Sequence, residues 1–201
     1  MKEHPILFSA PMVRAILDGR KTQTRRVMKP QPVLCDGMWD WKDCQWMDDG
    51  IGFPASGIID HSPYGVPGDR LWVWEAFCKC DRTDEFTTMC FRAEDDTCDD
   101  AKWTPSIHMP RWASRIILEV IGVRVESLQD ISEKDAKAEG VESYSDDGVI
   151  YYGEFGKGDC RPDREFSRLW DSINAKRGFS WKSNPWVWVI EFERIKEADH
   201  V

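Results

Sequence analysis

The run from Gly19 to Arg26 contains the residue types and the spacing that could do chemistry in this chain. Four cations fall within seven residues, and three small hydrogen-bonding side chains lie between them. Lys21 and Thr24 could act as a base and a hydroxyl nucleophile if the backbone brings their side chains together. The arginines, including Arg20, carry planar donor groups that suit phosphate, a carboxylate or a nucleobase edge. The run is therefore a candidate active site.

A second interpretation of the same run involves no chemistry. Charge runs are typical of solvated loops, in which the cations pair with nearby acids and Thr24 bonds to the backbone. A regular strand would also place Lys21 and Thr24 on opposite faces of a sheet. The two side chains can converge only if a turn or a bulge lies between them.

Short elements on both sides of the run must position it. Ser9 and Pro11 are typical of a helix start, and Gly19 predicts the end of that helix in a left-handed conformation. Residues 22–27 are β-prone and predict a strand. Further elements are predicted along the chain, with strands over 70–75, 114–125 and 186–192 and helices over 133–139 and from Pro162 onward.

The strand predicted over 114–125 contains a carboxylate that could complete the site. With a period of two, Glu119 shares one face with Ile117, Ile121, Val123 and Val125. The alternative is that Glu119 lies at a sheet edge and is solvated. Because both faces of the strand are mostly apolar, we expect Glu119 to be buried in a row of branched apolar side chains. Burial would raise the pKa of this carboxyl towards a range useful for acid–base catalysis, unless a nearby cation offsets it.

Length and charge limit the class of protein. The chain has 201 residues and a net charge of −9, which predicts a single domain over 1–201, with insertions at about 29–68 and 143–158. The acidic balance argues against strong non-specific binding to nucleic acid but is compatible with a nucleoside or one short local contact. No apolar run reaches the roughly 20 residues of a membrane helix, and no secretory signal is visible. We expect a cytoplasmic protein with no membrane contact.

The cysteines and tryptophans point to packing more than to metal. Cys78, Cys80, Cys90 and Cys98 could ligate zinc, but their spacing differs from the recurring knuckle patterns, so reduced thiols and no metal or cofactor are expected. Eleven tryptophans are present, and such aromatic residues usually fill a β core or line a pocket. We assign Trp72 and Trp74, together with Arg20 and Arg26, as candidate substrate-binding residues.

Short strands with few helices, and β structure near both ends of the chain, predict an α+β fold. The expected architecture is a small mixed β-barrel with short helices at its rim.

Residues 16–26 resemble the N-terminal signature of ASCH domains, a branch of the PUA-like β-barrel superfamily. The similarity extends to the Gly-Asp turn and strand at 68–73, to the strand at 117–120 and to the segment 128–136. Segments 107–113 and 184–189 are similar to those of ASCH proteins carried by phages and prophages. The resemblance covers most of the chain apart from the two insertions, and it implies a PUA-like barrel.

The resemblance also implies an activity. The best understood enzymes of the family are bacterial amidohydrolases that deacylate N4-acetylcytidine with a Lys, a Thr and a Glu. By motif position, Lys21 would be the general base, Thr24 the nucleophile and Glu119 the acid that protonates the departing amine. Arg26 could orient the substrate carbonyl or stabilise the oxyanion. The implied partner is a small nucleoside or similar modified base.

Two other functions compete with hydrolysis. In a non-catalytic RNA- or ssDNA-binding module, Arg20, Lys21, Arg25 and Arg26 would contact phosphates and a tryptophan would stack on a base. The acidic balance of the chain counts against this module. A nuclease is the third alternative, because the fold hosts several functions.

Overall fold

The computed structural model describes residues 1–35, 38–42, 44–47, 58–83, 86–94 and 102–195. Across these residues the chain has a mixed α+β fold, in which a five-stranded sheet is accompanied by few helices. The expected class is confirmed at this level, and no closed barrel is found among the described residues. Within the same ranges, no helix is both long enough and apolar enough to cross a membrane.

The described ranges contain twelve strands and three α-helices. The strands are β1 (Glu3–Leu7), β2 (Gln23–Val27), β3 (Val33–Cys35), β4 (Met38–Trp41), β5 (Cys44–Met47), β6 (Arg70–Trp74), β7 (Phe77–Thr83), β8 (Phe86–Phe91), β9 (Ile117–Ser127), β10 (Ser143–Asp146), β11 (Val149–Tyr152) and β12 (Trp186–Arg194). The α-helices are α1 (Ala10–Leu17), α2 (Glu133–Ala138) and α3 (Pro162–Asn174).

The central sheet has the strand order β1-β6-β9-β12-β2. β1 runs parallel to β6, and the other neighbouring strands are antiparallel. Three smaller sheets surround it: β3-β4-β5, β7-β8 and β10-β11. β12 lies between β9 and β2, so it supports the strand that continues the basic run.

β12 is buried on both of its faces. Trp188 and Ile190 pack in the main core with α1, whereas Val187 and Val189 pack in a second core with α2 and α3. A strand covered on both sides needs apolar residues at consecutive positions, because neighbouring side chains point to opposite faces. This explains the unbroken apolar run of the strand, and it places helices on both sides of the sheet.

β9 contains a β-bulge that corrects the expectation for Glu119. The register with β12 shifts where Glu191 pairs with Gly122 and Phe192 pairs with Val120, which leaves Ile121 as the extra residue. A bulge reverses the alternation of side chains along a strand. Leu118 and Val120 therefore enter the core before the bulge, and Val123 and Val125 enter it afterwards.

The prediction that Glu119 is buried is consequently wrong. Its immediate neighbours Leu118 and Val120 are 0% and 1% exposed, and Glu119 points to the other face, where it is exposed. Across the sheet it lies opposite Arg70 and Glu193. Period-two counting from the apolar residues beyond the bulge assigned it to the wrong face.

The predicted helix boundaries are confirmed. Ser9 precedes α1 in an extended conformation and Gly19 follows it with φ of +73°. The hydroxyl of Ser132 accepts a hydrogen bond from the Asp135 amide at 3.1 Å, which caps α2. Pro162 opens α3. These signals are local, so they are readable without tertiary information.

Both expected insertions contain β structure. The described parts of 29–68 include the β3-β4-β5 meander and a 3-10 helix at Ile59–His61. Segment 143–158 contains the hairpin β10-β11, whose turn residues Asp147 and Gly148 both have positive φ. An Asp-Gly pair between short β-prone segments is a hairpin signal, because both residues tolerate that conformation.

Trp41 anchors the first insertion to the core, which predicts the effect of its removal. Its side chain is 2% exposed, its ring lies 5.5 Å from that of Trp188, and its indole N–H donates to the Pro30 carbonyl at 2.6 Å. Trp41→Ala should lower the free energy of unfolding by about 3–5 kcal/mol in urea titrations. Trp112→Ala removes an indole that is 73% exposed and should change stability by less than about 0.5 kcal/mol. Equal effects of the two substitutions would contradict the anchoring role.

Candidate active site

Lys21 is held between the end of α1 and the end of α2. Its amide donates to the Ala15 carbonyl at 2.9 Å, and its backbone forms an isolated antiparallel bridge with Glu139. Since β2 begins only at Gln23, the alternation of that strand does not apply to Lys21. A break therefore separates Lys21 from Thr24, as convergence of their side chains requires.

The Lys21 ammonium is completely buried and uses all three of its protons. Nζ donates to the Glu139 carboxylate oxygen Oε2 at 2.8 Å, to the Glu139 carbonyl at 2.7 Å and to the Gln23 carbonyl at 2.8 Å. Burial lowers the pKa of Lys21, and the charge and hydrogen bond of Glu139 oppose this shift. The positive charges of Arg26 and Arg25 lower the pKa further. These effects move the amine towards the behaviour that a general base needs.

Glu139 supplies the buried carboxylate that was expected from Glu119. It directly follows α2 and is 4% exposed. The C-terminal end of a helix disfavours a negative charge, so cations must hold Glu139 in place. Its Oε2 accepts from Lys21, and its Oε1 accepts from Arg25 Nη1 at 3.1 Å.

Sequence reasoning missed Glu139, although one signal was present. A glutamate between a capped short helix and Gly140 lies where its charge is unfavourable unless cations are close. Gly140 itself has φ of +85°, and a Cβ there would lie 2.7 Å from the Cβ of Lys21. The tight approach of the two segments thus requires glycine and brings Glu139 onto the lysine.

Thr24 lies on β2 opposite Ile190 and is 3% exposed. No hydrogen bond to its hydroxyl is found within the described ranges. The residue lines a cavity of about 380 Å³ that Glu139 also lines. The Lys21 ammonium lies behind this wall, bonded to the carbonyl of the peptide that links Gln23 to Thr24. The structure thus places Lys21, Thr24 and Glu139 in one region.

A network of ion pairs around Arg25 supports the Glu139 carboxylate. Arg25 is buried, donates from Nε to Glu126 at 3.0 Å and from Nη1 to the Gln23 side chain at 2.6 Å. Arg124 in turn donates to Glu126 at 3.0 Å and to Asp135 at 3.2 Å, and it contacts Glu191. The network connects β2, β9, β12 and α2, so the position of Glu139 depends on the assembly of all four elements.

Arg26 faces the cavity from the neighbouring position. One nitrogen donates to the Leu7 carbonyl at 2.6 Å, and the guanidinium lies 5.1 Å from the centre of the Phe8 ring. Its Nε is buried without a hydrogen-bond partner in the described structure. Burial lowers the pKa of Arg26, and it raises the pKa of the nearby Tyr64 hydroxyl. An unpaired donor at a cavity wall is suited to a polar ligand atom.

Aromatic and apolar side chains form much of the remaining wall. They come from the first insertion, from α3 with the residues after it, and from β12. They include Trp41, Tyr64, Phe166, Leu169, Trp170, Ile173, Phe179 and Trp188.

The other predicted substrate-binding residues lie elsewhere. Arg20 donates to Asp18 at 2.9 Å and to the Gly140 carbonyl at 3.2 Å, and it does not line this cavity. On β6, Leu71 and Val73 enter the core, so Trp72 and Trp74 lie on the opposite face. Their rings contact each other at 5.4 Å, away from the cavity wall. Thr24 and Arg26 therefore line one cavity, and Lys21 is bonded to Glu139 in its wall. Arg20 and the tryptophan pair of β6 lie outside this cavity.

The expected pairing of the basic run with acids is seen in part. Arg20 pairs with Asp18, Lys21 with Glu139, and Arg25 with Glu126 and Glu139. Thr24, in contrast, keeps its hydroxyl free of partners among the described residues.

The cysteine prediction can be followed only in part. Cys78 and Cys90 are buried and lie opposite each other on β7 and β8. Cys98 and the side chain of Cys80 lie outside the described residues. Within the ranges that are described, no group of three or more His, Cys, Asp or Glu side chains is arranged to hold a metal ion.

Comparison of the chain with known protein families, with curated proteins and with solved structures found no match.

The two cations that share Glu139 predict a large stability effect at this position. Glu139→Gln leaves the buried Lys21 charge uncompensated and removes one of the carboxylates that Arg25 contacts, so it should cost about 3–5 kcal/mol of unfolding free energy. Glu119→Gln makes the same chemical change at an exposed position and should cost less than about 0.5 kcal/mol. Chemical denaturation of both variants measures the difference. A similar cost for both would show that Glu139 does not neutralise the buried cations.

Proposed function

We propose that this protein is an amidohydrolase that removes an acyl group from the N4 amine of an acylated cytosine nucleoside or a similar modified base. One observation carries the proposal. A hydroxyl with no partner among the described residues, that of Thr24, shares a cavity wall with a carboxylate that is hydrogen-bonded to a buried lysine of lowered pKa. These are the types of group that acyl transfer from an amide requires: a nucleophile, a base and an acid.

The first step prepares the base and the acid together. A proton moves from Lys21 Nζ to Glu139 Oε2 along their 2.8 Å hydrogen bond, which leaves a neutral amine and a neutral carboxyl group. Burial favours the neutral amine of Lys21, because its ammonium is not solvated there. The Lys21 amine then accepts the proton of the Thr24 hydroxyl while the Thr24 oxygen attacks the acyl carbon.

The second step releases the cytosine amine. The attack gives a tetrahedral intermediate with a negative oxygen, which the Arg26 guanidinium stabilises through its unpaired Nε. The carbon–nitrogen bond breaks as Glu139 gives its proton to the departing amine. An acyl ester on Thr24 remains, and water hydrolyses it with the same carboxylate acting as base.

The walls of the cavity suit a flat aromatic base. Trp41 and Trp188 meet edge to face, and Tyr64 and Phe166 add further aromatic surface. Small-ligand sites are typically apolar clefts of ~300–1,000 Å³ with a few placed polar groups, and this cavity has both properties.

The proposal also includes a fold assignment that is more specific than the mixed α+β class. We place the chain among PUA-like domains of the ASCH type because of the motif at residues 16–26. Lys21 and Thr24 keep their proposed roles, and Glu139 replaces Glu119 as the acid.

The geometry gives less support to the RNA- or ssDNA-binding alternative. Of the four cations of the basic run, Lys21 and Arg25 have fully buried side chains that are paired with Glu139. They do not form a surface that could contact successive phosphates, which such binding uses.

Hydrolysis of N4-acetylcytidine, followed by cytosine absorbance, tests the proposal. Thr24→Val keeps the shape of the side chain but removes the nucleophile, so kcat should fall at least ~100-fold, whereas Thr24→Ser should keep measurable turnover. Glu139→Gln should also abolish turnover, and Glu119→Gln should not alter it. Each variant is first checked for folding by circular dichroism. Full activity of Thr24→Val would remove Thr24 as the nucleophile, and an inactive parent protein would refute the proposed substrate.

The pH dependence of kcat/KM tests the roles of Lys21 and Glu139. The pair is active while it holds one shared proton. Raising the pH through the pKa of Lys21 removes that proton, so activity should fall. Because burial lowers this pKa, the fall should come below the ordinary lysine value of about 10.4. Tyr64→Phe is the control. Because the pKa of Tyr64 is raised by burial, its hydroxyl stays neutral in this pH range, and the pH at which activity falls should be the same in this variant. Activity that is constant up to pH 10.5, after subtraction of the uncatalysed rate, would contradict the assignment.

A further inference from the structure

Three exposed cations line the cavity in addition to Arg25 and Arg26, and the proposed chemistry uses none of the three. Lys29 follows β2, Lys42 follows β4, and Arg177 ends the 3-10 helix Ala175–Arg177. All three are exposed, so they form the outer part of a cavity whose inner wall includes Thr24. In a chain with a net charge of −9, this gathering of positive charge requires an explanation.

Acidic side chains do not neutralise these cations within the described ranges. Lys42 Nζ lies 4.3 Å from the centre of the Trp41 ring, and Lys29 Nζ lies 5.4 Å from that of Phe179. No carboxylate of the described chain is in salt-bridge contact with Lys29, Lys42 or Arg177.

Like charges are close together in this part of the cavity. Burial is the main cause of the lowered pKa of Arg26, and the positive charge of Arg177 lowers it further. The Nε of Arg26 has no described partner. Glu139 is the carboxylate that lines the cavity, and both of its oxygens are already shared by Lys21 and Arg25. An anionic ligand would relieve the repulsion and use the free donors.

We propose that the outer cations bind a phosphate, so that the substrate is an acylated cytidine monophosphate and not the free nucleoside. Lys binds phosphate as a point charge, and Arg binds it through a planar fork of hydrogen-bond donors. The base would reach Thr24 on the inner wall while the ribose phosphate stays among Lys29, Lys42 and Arg177. This inference rests on the proposed function, because that function defines which end of the ligand faces Thr24.

A mononucleotide fits the observations better than a polynucleotide. The cavity of about 380 Å³ is in the size range of small-ligand sites. The net charge of −9 would repel the phosphates of a long strand that lie outside the cavity.

Kinetics with matched substrates and variants test the inference. The parent protein should hydrolyse the 5′- or 3′-monophosphate of N4-acetylcytidine with a kcat/KM at least about tenfold above that of the nucleoside. Arg177→Ala and Lys29→Ala should each remove most of this preference, because they should lower kcat/KM for the monophosphate far more than for the nucleoside. Lys176→Ala is the control, because Lys176 is exposed beside Arg177 but does not line the cavity. Equal kcat/KM for nucleotide and nucleoside would overturn the inference and leave the proposed function intact. A higher kcat/KM for an oligonucleotide containing acetylcytidine than for either monophosphate would also overturn it.

Calorimetric binding of cytidine and of cytidine 5′- and 3′-monophosphate separates the two proposals, because it needs no hydrolysis. Tighter binding of a monophosphate than of cytidine, lost in Arg177→Ala and kept in Lys176→Ala, would support the phosphate site even if no acyl substrate is turned over. Equal binding of cytidine and both monophosphates would refute the phosphate site whatever the outcome of the hydrolysis assay.

Discussion

The buried ion pair between Lys21 and Glu139 is the interaction on which the rest of the site depends. Neither charge can reach water, so each is stable only while the other is present and correctly oriented. Arg25 adds a second cation to the same carboxylate, and Glu126 balances Arg25 in turn. Such an arrangement is costly to assemble in a protein interior. In the proposed mechanism, desolvation makes proton transfer between the partners easier.

The fold meets the requirement of this pair by converging four elements on one point. β12 holds β2 in the sheet, α2 delivers Glu139, and the end of α1 delivers Lys21. The cavity beside the pair is then completed by the first insertion and by α3 with the residues after it. The inner wall carries the groups for the proposed acyl transfer, and the outer part carries cations, so one cavity has two chemically different ends.

The sequence by itself determined the local features. It indicated the helix boundaries at Ser9 and Gly19, the helix that begins at Glu133, and the strand over 186–192. These depend on capping chemistry and on runs of apolar residues, which act over a few positions. It also identified Lys21 and Thr24 as one candidate site, since their spacing within a short basic run is a property of the chain alone.

Only the tertiary structure decided which carboxylate joins them. A single extra residue at Ile121 reversed the alternation of β9 and turned Glu119 outward, and no periodicity argument predicts where a bulge will form. Glu139 lies 118 positions from Lys21, and Trp41 reaches the cavity from the first insertion, whereas Trp72 and Trp74 do not. Contacts of this kind depend on how whole elements pack. Local sequence can thus show which groups are available for chemistry, but their partners follow from the assembled fold.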